Sequence, residues 1–451
     1  MLFHDLIRDR KFHYRFIALS LPITIQTLML ALVAASDAFM LGRVSQNAMA
    51  AVSLATQIQF VQNMLLCSLV AGIGVMGAQY EGKGDFVTLG KILALGVRIN
   101  LLVSIVFFLG CLLIPEKLMY LFAHDPELVR IGGEYLRIAA WSYLITGVAQ
   151  CYLGIMKVSN HVTISAVISS LAVLLNIFLN LVFIFGFWGI PAMGVKGAAL
   201  ATVIARVMEL LTCIFISFRK DFIQLDFRNL FSFDRILSRD FRYYTIPIVG
   251  AYLLWGIGFT AYTAIMGHLG PDAAAANSIA AVVRDLICCL ANGFAGGAGI
   301  LIGNELGAGN LERGKAYGDR IAVISFILGI FCTFVILGVT PLLFSFVQLT
   351  PQAESYMRGM MFILSFYMIG RTVCTIVING IFAAGGDTLF DIYSLIVCMW
   401  CLALPCAFLS AFYLQWPVLV AYGCTCLDEV GKIPWVICHH RKYKWVRNIT
   451  R

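Results

Sequence analysis

Apolar residues fill this chain in long runs, and polar residues punctuate them at regular intervals. A run of about 20 such residues spans the hydrocarbon core of a bilayer as a helix, at 1.5 Å per residue. Twelve spans are predicted, at about 15–41, 49–77, 89–113, 131–155, 162–186, 193–218, 244–267, 274–302, 318–346, 357–383, 390–412 and 417–438. Lys and Arg gather in alternate connections: the N-terminus, 81–91, 157–161, 219–242, 313–320 and the tail from His439. The opposite connections, around Arg43 and at 115–117, 187–191, 268–272 and 414–417, are short and poor in them. Basic connections stay on the cytoplasmic side, so both termini are expected there, with the chain multi-pass in a cell (plasma or inner) membrane.

The longest polar connection, Arg219 to Arg242, falls near the middle. A shift of 225 residues aligns Pro22 with Pro247, Gly42 with Gly267, and Gly72 and Gly74 with Gly297 and Gly299. It also places Gly82–Asp85 on Gly307–Asn310. A gapless match that includes two prolines and a loop points to duplication. Six spans per repeat make the repeats parallel, related by an axis along the membrane normal. The expected fold class is an all-α polytopic membrane protein, twelve transmembrane helices in two six-helix bundles related by pseudo-twofold symmetry. The expected domains are an N-terminal bundle at 1–218, a cytoplasmic linker at 219–243, a C-terminal bundle at 244–438 and a basic cytoplasmic tail at 439–451. In that tail His439 and His440 read as interfacial.

Composition narrows the class. Of 451 residues 61% are hydrophobic and 12% charged, with mean hydropathy +0.89, which excludes a soluble domain of this size. The net charge of +8 follows topology, so no nucleic-acid partner is expected. The fourteen cysteines lie mostly in apolar runs, as small hydrophobes. No nucleophile elbow, His-Glu-Xaa-Xaa-His or paired metal-ligand spacing is present, so the chain does not read as an enzyme. The glycines at 82–84 follow no strand, and read as turns ending the second span, echoed after the eighth.

Charges inside spans carry the chemistry. Asp37 lies in the first span, where an ionised carboxylate costs at least about 2.5 kcal/mol. Pro22 in the same helix removes a backbone hydrogen bond and permits a hinge. If the first and fifth spans run outward and the sixth inward, Asp37, Asn176, Asn180 and Thr202 all fall in the outer half, at depths within roughly 9 Å. Asn176 and Asn180 are one turn apart on one face. These hard oxygens suit sodium, and equally suit hydrogen bonding to a protonated acid. Each could instead satisfy a neighbour separately, a reading favoured for Thr202 alone. Other intramembrane charges are Arg137, Arg206 with Glu209, Arg284, Asp285 and Arg371. Arg206–Glu209 reads as a structural pair, and Asp285 with Arg371 as a second, structural or cavity-lining.

Pro22 with Asp37, Gly-Ala-Gln-Tyr-Glu-Gly-Lys-Gly-Asp at 77–85, Gly-Asn-Glu-Leu-Gly-Ala-Gly-Asn at 303–310, Gly-Val-Lys-Gly-Ala-Ala-Leu-Ala-Thr at 194–202 and Asn-Gly-Ile-Phe-Ala-Ala-Gly-Gly-Asp-Thr at 379–388 together resemble the multidrug and toxic compound extrusion (MATE) family, over essentially the whole chain. The resemblance implies a secondary antiporter that exports amphiphilic, often cationic small molecules in exchange for protons or sodium ions. It also implies a cation or proton site at the matching positions of spans 1, 5 and 6, that is Asp37, Asn176, Asn180 and Thr202. The family often has a second carboxylate where this chain has Asn180. One acid instead of two weakens sodium binding, while burial still favours a neutral, protonated acid; protons are the expected coupling ion, with sodium at Asp37 the one metal left open and no other cofactor. The repeat counterparts of the four are Tyr262, Leu402, Cys406 and Asp428, with Glu429 beside the last, so coupling is expected in the first bundle. A lipid-linked oligosaccharide flippase is the alternative, kept open by Arg137, Arg284 and Arg371. Expected partners are the bilayer and small-molecule substrates, and the chain is expected to be a monomer.

Overall fold

The computed structural model describes residues 9–187, 189–219, 222–223, 229–230, 234–346 and 349–450. Long helices follow one another through these residues. They are α1 (Arg10–Gly42), α2 (Gln46–Lys83), α3 (Phe86–Leu113), α4 (Pro126–Val158), α5 (Val162–Phe185) and α6 (Val195–Ser217). Then come α7 (Arg235–His268), α8 (Pro271–Gly307), α9 (Leu311–Phe346), α10 (Pro351–Phe382) and α11 (Leu389–Tyr413). Among the described residues these eleven are long and apolar enough to cross a membrane. Large apolar side chains such as Leu102, Phe215 and Phe334 are more than half exposed along them, as a lipid-facing surface requires. The chain is a multi-pass, all-α membrane protein.

Sequence and structure differ at several points. The twelfth span is broken into α12 (Val418–Thr425), α13 (Leu427–Val430) and α14 (Ile433–Arg441). α10 ends in π-helix over Val377–Phe382, and α11 carries π-helix at Ile396–Ala403 and Leu409–Tyr413. A one-turn helix, Pro115–Met119, follows α3. The linker expected at 219–243 lies in part outside the described residues, and its last stretch is already helical because α7 starts at Arg235.

The glycine loops form as expected. Gly84 closes α2 in the left-handed region at φ +77°, and the Asp85 amide returns to the Tyr80 carbonyl at 3.0 Å. After α8, Gly309 takes φ +82° and the Asn310 amide returns to the Glu305 carbonyl at 2.9 Å. Such six-to-one closures satisfy carbonyls that a helix end leaves free.

By packing the chain forms two compact units. The N-terminal unit is Ile25–Thr245; the C-terminal unit holds the chain up to Thr24 and from Ile246 onward. The boundaries fall inside α1 and α7, close to Pro22 and Pro247, so the whole of the first helix does not belong to the first bundle. Its leading half packs in the C-terminal unit. Phe12 and Phe16 join the core around Ala295, Leu301 and Phe382. Asp9 pairs with Arg320 at 2.7 Å, and Ser20 and Thr24 lie against Gly297 and Gly293 of α8. The N-terminal unit shows the reciprocal contact, Thr245 of α7 against Gly72 of α2. Both residues of that pair stand 225 positions from their counterparts Ser20 and Gly297, so the repeats exchange the leading halves of their first helices.

After α14 Trp445 is packed, although Lys442 and Lys444 beside it stay exposed. Trp445 is fully buried above Gly318 and Gly385, and Arg447 donates to the Gly385 and Gly386 carbonyls at 2.8 Å. His439 pairs with Asp387 at 2.7 Å, and burial pushes the His440 imidazole below its usual 6.5. Within the stretch expected as a basic tail, the indole occupies a dry pocket and Arg447 supplies donors to the carbonyls that follow α10.

Candidate functional site

The N-terminal unit aligns α1 and α5 along the trailing half of α1. Gln26 Nε2 donates to Ser169 Oγ at 2.7 Å, and Asn180 Nδ2 donates to Asp37 Oδ1 at 2.5 Å. Both pairs are separated by 143 residues, so the two helices run parallel and in step for eleven residues, three turns, or about 16 Å. Each pair therefore presents the same faces, one near each end of the shared stretch.

The Asp37–Asn180 pair continues along α5 to α6. Asn180 Nδ2 also lies 3.4 Å from Asn176 Oδ1, one turn below it. Asn176 Nδ2 donates to Thr202 Oγ1 at 3.3 Å, and that hydroxyl donates to the Ala198 carbonyl at 3.0 Å. The four polar residues singled out in the sequence thus form one hydrogen-bonded line on three helices. Asn180 is fully buried, Asn176 and Thr202 nearly so, and Asp37 is partly exposed. Asp37 is the one carboxylate in the line, and none of the other three positions supplies a formal charge.

One atom in this line is unused. Asn180 Oδ1 is buried and accepts no hydrogen bond. An amide carries an acceptor and a donor on one rotor. Its N–H suits an ionised Asp37, as observed; its carbonyl would suit the O–H of a protonated Asp37. The same side chain can serve both states by turning over, and the free carbonyl would equally serve a small cation beside the carboxylate.

Sequence reasoning misses the Gln26–Ser169 pair. Ser169 Oγ also donates to Glu209 Oε1 at 3.3 Å, and Arg206 binds Glu209 Oε2 at 2.7 Å. Arg206–Glu209 is the expected pair, but Gln26 and Ser169 tie it to α1. The available signal is Gln26 itself, a polar residue eleven positions before Asp37 and hence on the same face.

Pro22 sits inside α1, two residues before the boundary at Thr24. The cavity charges are placed otherwise than expected. Asp285 and Arg371 do not pair: Arg371 binds Glu429 at 2.5 Å, and Asp285 binds Arg284 at 2.9 Å. Adjacency on a helix separates Cα–Cβ directions, but a long arginine side chain can fold back to a neighbour, and Arg284 does so while lying 4.5 Å over the Phe259 ring. Arg137 pairs with Glu116 of the one-turn helix at 2.7 Å.

The sequence profile of the MatE family matches residues 22–182 and again 247–409, two stretches that begin 225 residues apart. The chain belongs to the MatE family. Among curated MatE relatives, the uncharacterized transporter YisQ of Bacillus subtilis (strain 168) is 23% identical over 88% of this chain and 87% of its own. A probable multidrug resistance protein NorM of Bradyrhizobium diazoefficiens is 25% identical over 88% and 86%. Among solved structures, the outward-facing conformation of a multidrug resistance MATE family transporter superposes with a TM-score of 0.84 at 18% identity, covering 95% of this chain and 96% of that one. That likeness is one of fold.

Proposed function

We propose that this protein is a secondary antiporter that exports amphiphilic, cationic small molecules from the cell in exchange for protons taken up at Asp37. The observation that carries the reading is the hydrogen-bonded line Asp37–Asn180–Asn176–Thr202, with its unused amide carbonyl. It is supported by relatives named multidrug resistance protein NorM.

The ionised Asp37 accepts from Asn180 Nδ2. A proton arriving from outside neutralises it and makes one oxygen a donor. Asn180 then turns its carbonyl toward the acid, and the tie between α1 and α5 changes from acceptor to donor. Because Gln26 holds the same face of α1 three turns away, the change is levered along the trailing half of the helix. The flexible point is Pro22, where proline leaves the Ala18 carbonyl without its helical partner. Substrate leaves when the acid is neutral, and a cationic substrate is favoured when it is ionised. Sodium competes for the same oxygens.

The flippase alternative asks for free cationic side chains to meet a pyrophosphate, and it loses support because Arg137, Arg284 and Arg371 each face a carboxylate. The test of the antiport reading is Asp37→Asn in proteoliposomes with an imposed pH gradient. Efflux of a cationic dye is expected to lose its dependence on the gradient while dye binding persists. Gradient-driven efflux at the wild-type rate would eliminate the coupling role.

A further inference from the structure

Ionisable side chains also meet in the C-terminal unit, where α10, α11 and the broken twelfth segment pack together. Arg371 donates to Glu429 Oε1 at 2.5 Å, and Lys432 Nζ lies 3.4 Å from the same oxygen. Glu429 and Lys432 are almost completely buried, and Arg371 is little more exposed. Glu429 therefore has two cations. Its neighbour Asp428 forms an ion pair with neither: it is 0% exposed, and no side chain donates a hydrogen bond to its carboxylate oxygens.

The groups that face Asp428 come from every element around it. Tyr262 approaches from α7, Arg371 and Tyr367 from α10, and Cys398 from α11. Glu429, Lys432 and Cys426 are its own neighbours, and Asp391 of α11 lies beyond Lys432. The Tyr262 hydroxyl is buried and without a partner as well. An ionised carboxylate there would have only the Glu429 amide and the cations already engaged by Glu429 to offset its burial. Desolvation of an unpaired charge costs several kcal/mol, and the group takes up a proton instead.

We propose that Asp428 is a proton-binding site of the C-terminal unit, protonated in the conformation described here and discharged when Lys432 turns to it from Glu429. With Asp428 neutral, Arg371 and Lys432 oppose Glu429 alone and the group carries one positive charge in excess. Loss of the proton to water leaves two cations and two carboxylates, Arg371 keeping Glu429 and Lys432 taking Asp428. Lys432 needs only to change acids that are adjacent in the chain. The site deepens the antiport reading, on which it rests for its use, by supplying a second exchangeable proton on a residue other than Asp37.

The test is infrared difference spectroscopy on the full-length protein in sodium-free proteoliposomes at pH 7. The C=O stretch of a protonated carboxyl is expected in the wild type, kept in Asp37→Asn and lost in Asp428→Asn. A wild-type spectrum unchanged by Asp428→Asn overturns the proposal. So does disappearance of the band on adding sodium, which would make Asp428 a cation ligand. The amide of Asp428→Asn replaces a neutral acid with little change in shape, so its melting temperature is expected to stay near the wild type. A large fall would mean that an ionised Asp428 holds the cluster together, and would likewise overturn the proposal. The spectra require no transport: absence of gradient-driven efflux with the band intact refutes the antiport reading alone.

Discussion

Replacing Gly293 by alanine tests how closely α1 lies on α8. A Cβ at 293 would stand 2.7 Å from both Cα and N of Thr24, in addition to meeting its hydroxyl. The hydroxyl can rotate away, but the main chain cannot. Ordinary contact for a Cβ begins near 3.4 Å, so the leading half of α1 must retreat by about 0.7 Å. Overpacking of this kind costs about 1–3 kcal/mol. Alanine gains about 0.5–1 kcal/mol over glycine in a helix, so a net loss of roughly 0–2.5 kcal/mol remains against the wild type, and about 1–3 kcal/mol against an alanine placed at an open helical site. For a chain of 451 residues the shift is about 2 °C per kcal/mol or less, so the melting temperature of the purified protein should fall by up to a few degrees. Gly338→Ala in α9 is the control, because a Cβ there meets nothing within 4 Å, and it should melt at or slightly above the wild type. Adding Thr24→Ala should not rescue Gly293→Ala, since the crowded atoms belong to the backbone. If Gly293→Ala melts like Gly338→Ala, the close approach of the two helices is wrong.

Asn180→Asp places a second carboxylate 2.5 Å from the first; two like charges at that distance repel by about 7 kcal/mol at an effective dielectric of about 20. A cation or a shared proton must then sit between them, so dye efflux by this variant should become stimulated by a sodium gradient, and efflux indifferent to sodium would contradict the assignment. Asp85, outside the spans, caps α3 by accepting from the Thr88 amide at 3.0 Å, and Asp85→Ala should cost about 1 kcal/mol in melting experiments at neutral pH. That amide holds the Asp85 carboxyl below its ordinary 3.8; the stabilisation is present above this value and is lost as pH falls through the lowered one, so wild type and variant should converge in acid. A gap that persists below that range would assign the effect to something other than the charged cap.

Depth along each helix is legible in the sequence, and rotation about its axis is not. Counting residues from the membrane edge brings Asp37, Asn176, Asn180 and Thr202 to one level, and the structure joins them. The same counting cannot foresee that Arg371 reaches Glu429, because the twelfth segment breaks at Cys426 and Gly431 and turns its acids toward α10. The 225-residue offset is visible in prolines and glycines, yet the exchange of leading helix halves is not. A glycine reports that something comes close without reporting what: Gly293 and Gly297 accept Thr24 and Ser20, which lie some 270 residues earlier. Trp445 is hidden for a similar reason, since a basic stretch with one indole looks solvated until the hollow between Gly318 and Gly385 is known.

Burial of Phe12 and Trp445 in a single unit sets an order on biosynthesis. α1 leaves the ribosome long before the stretch around Trp445, and both are needed to complete that unit. At about 5–20 residues per second, the leading half of α1 waits roughly 15–60 s for α8 to be made. During that interval its phenylalanines have no permanent neighbours and must be sheltered by lipid or by the insertion machinery. Premature termination before Trp445 would release a chain with the newest helices in place and the pocket at Gly318 and Gly385 empty, a product that quality-control proteases should remove.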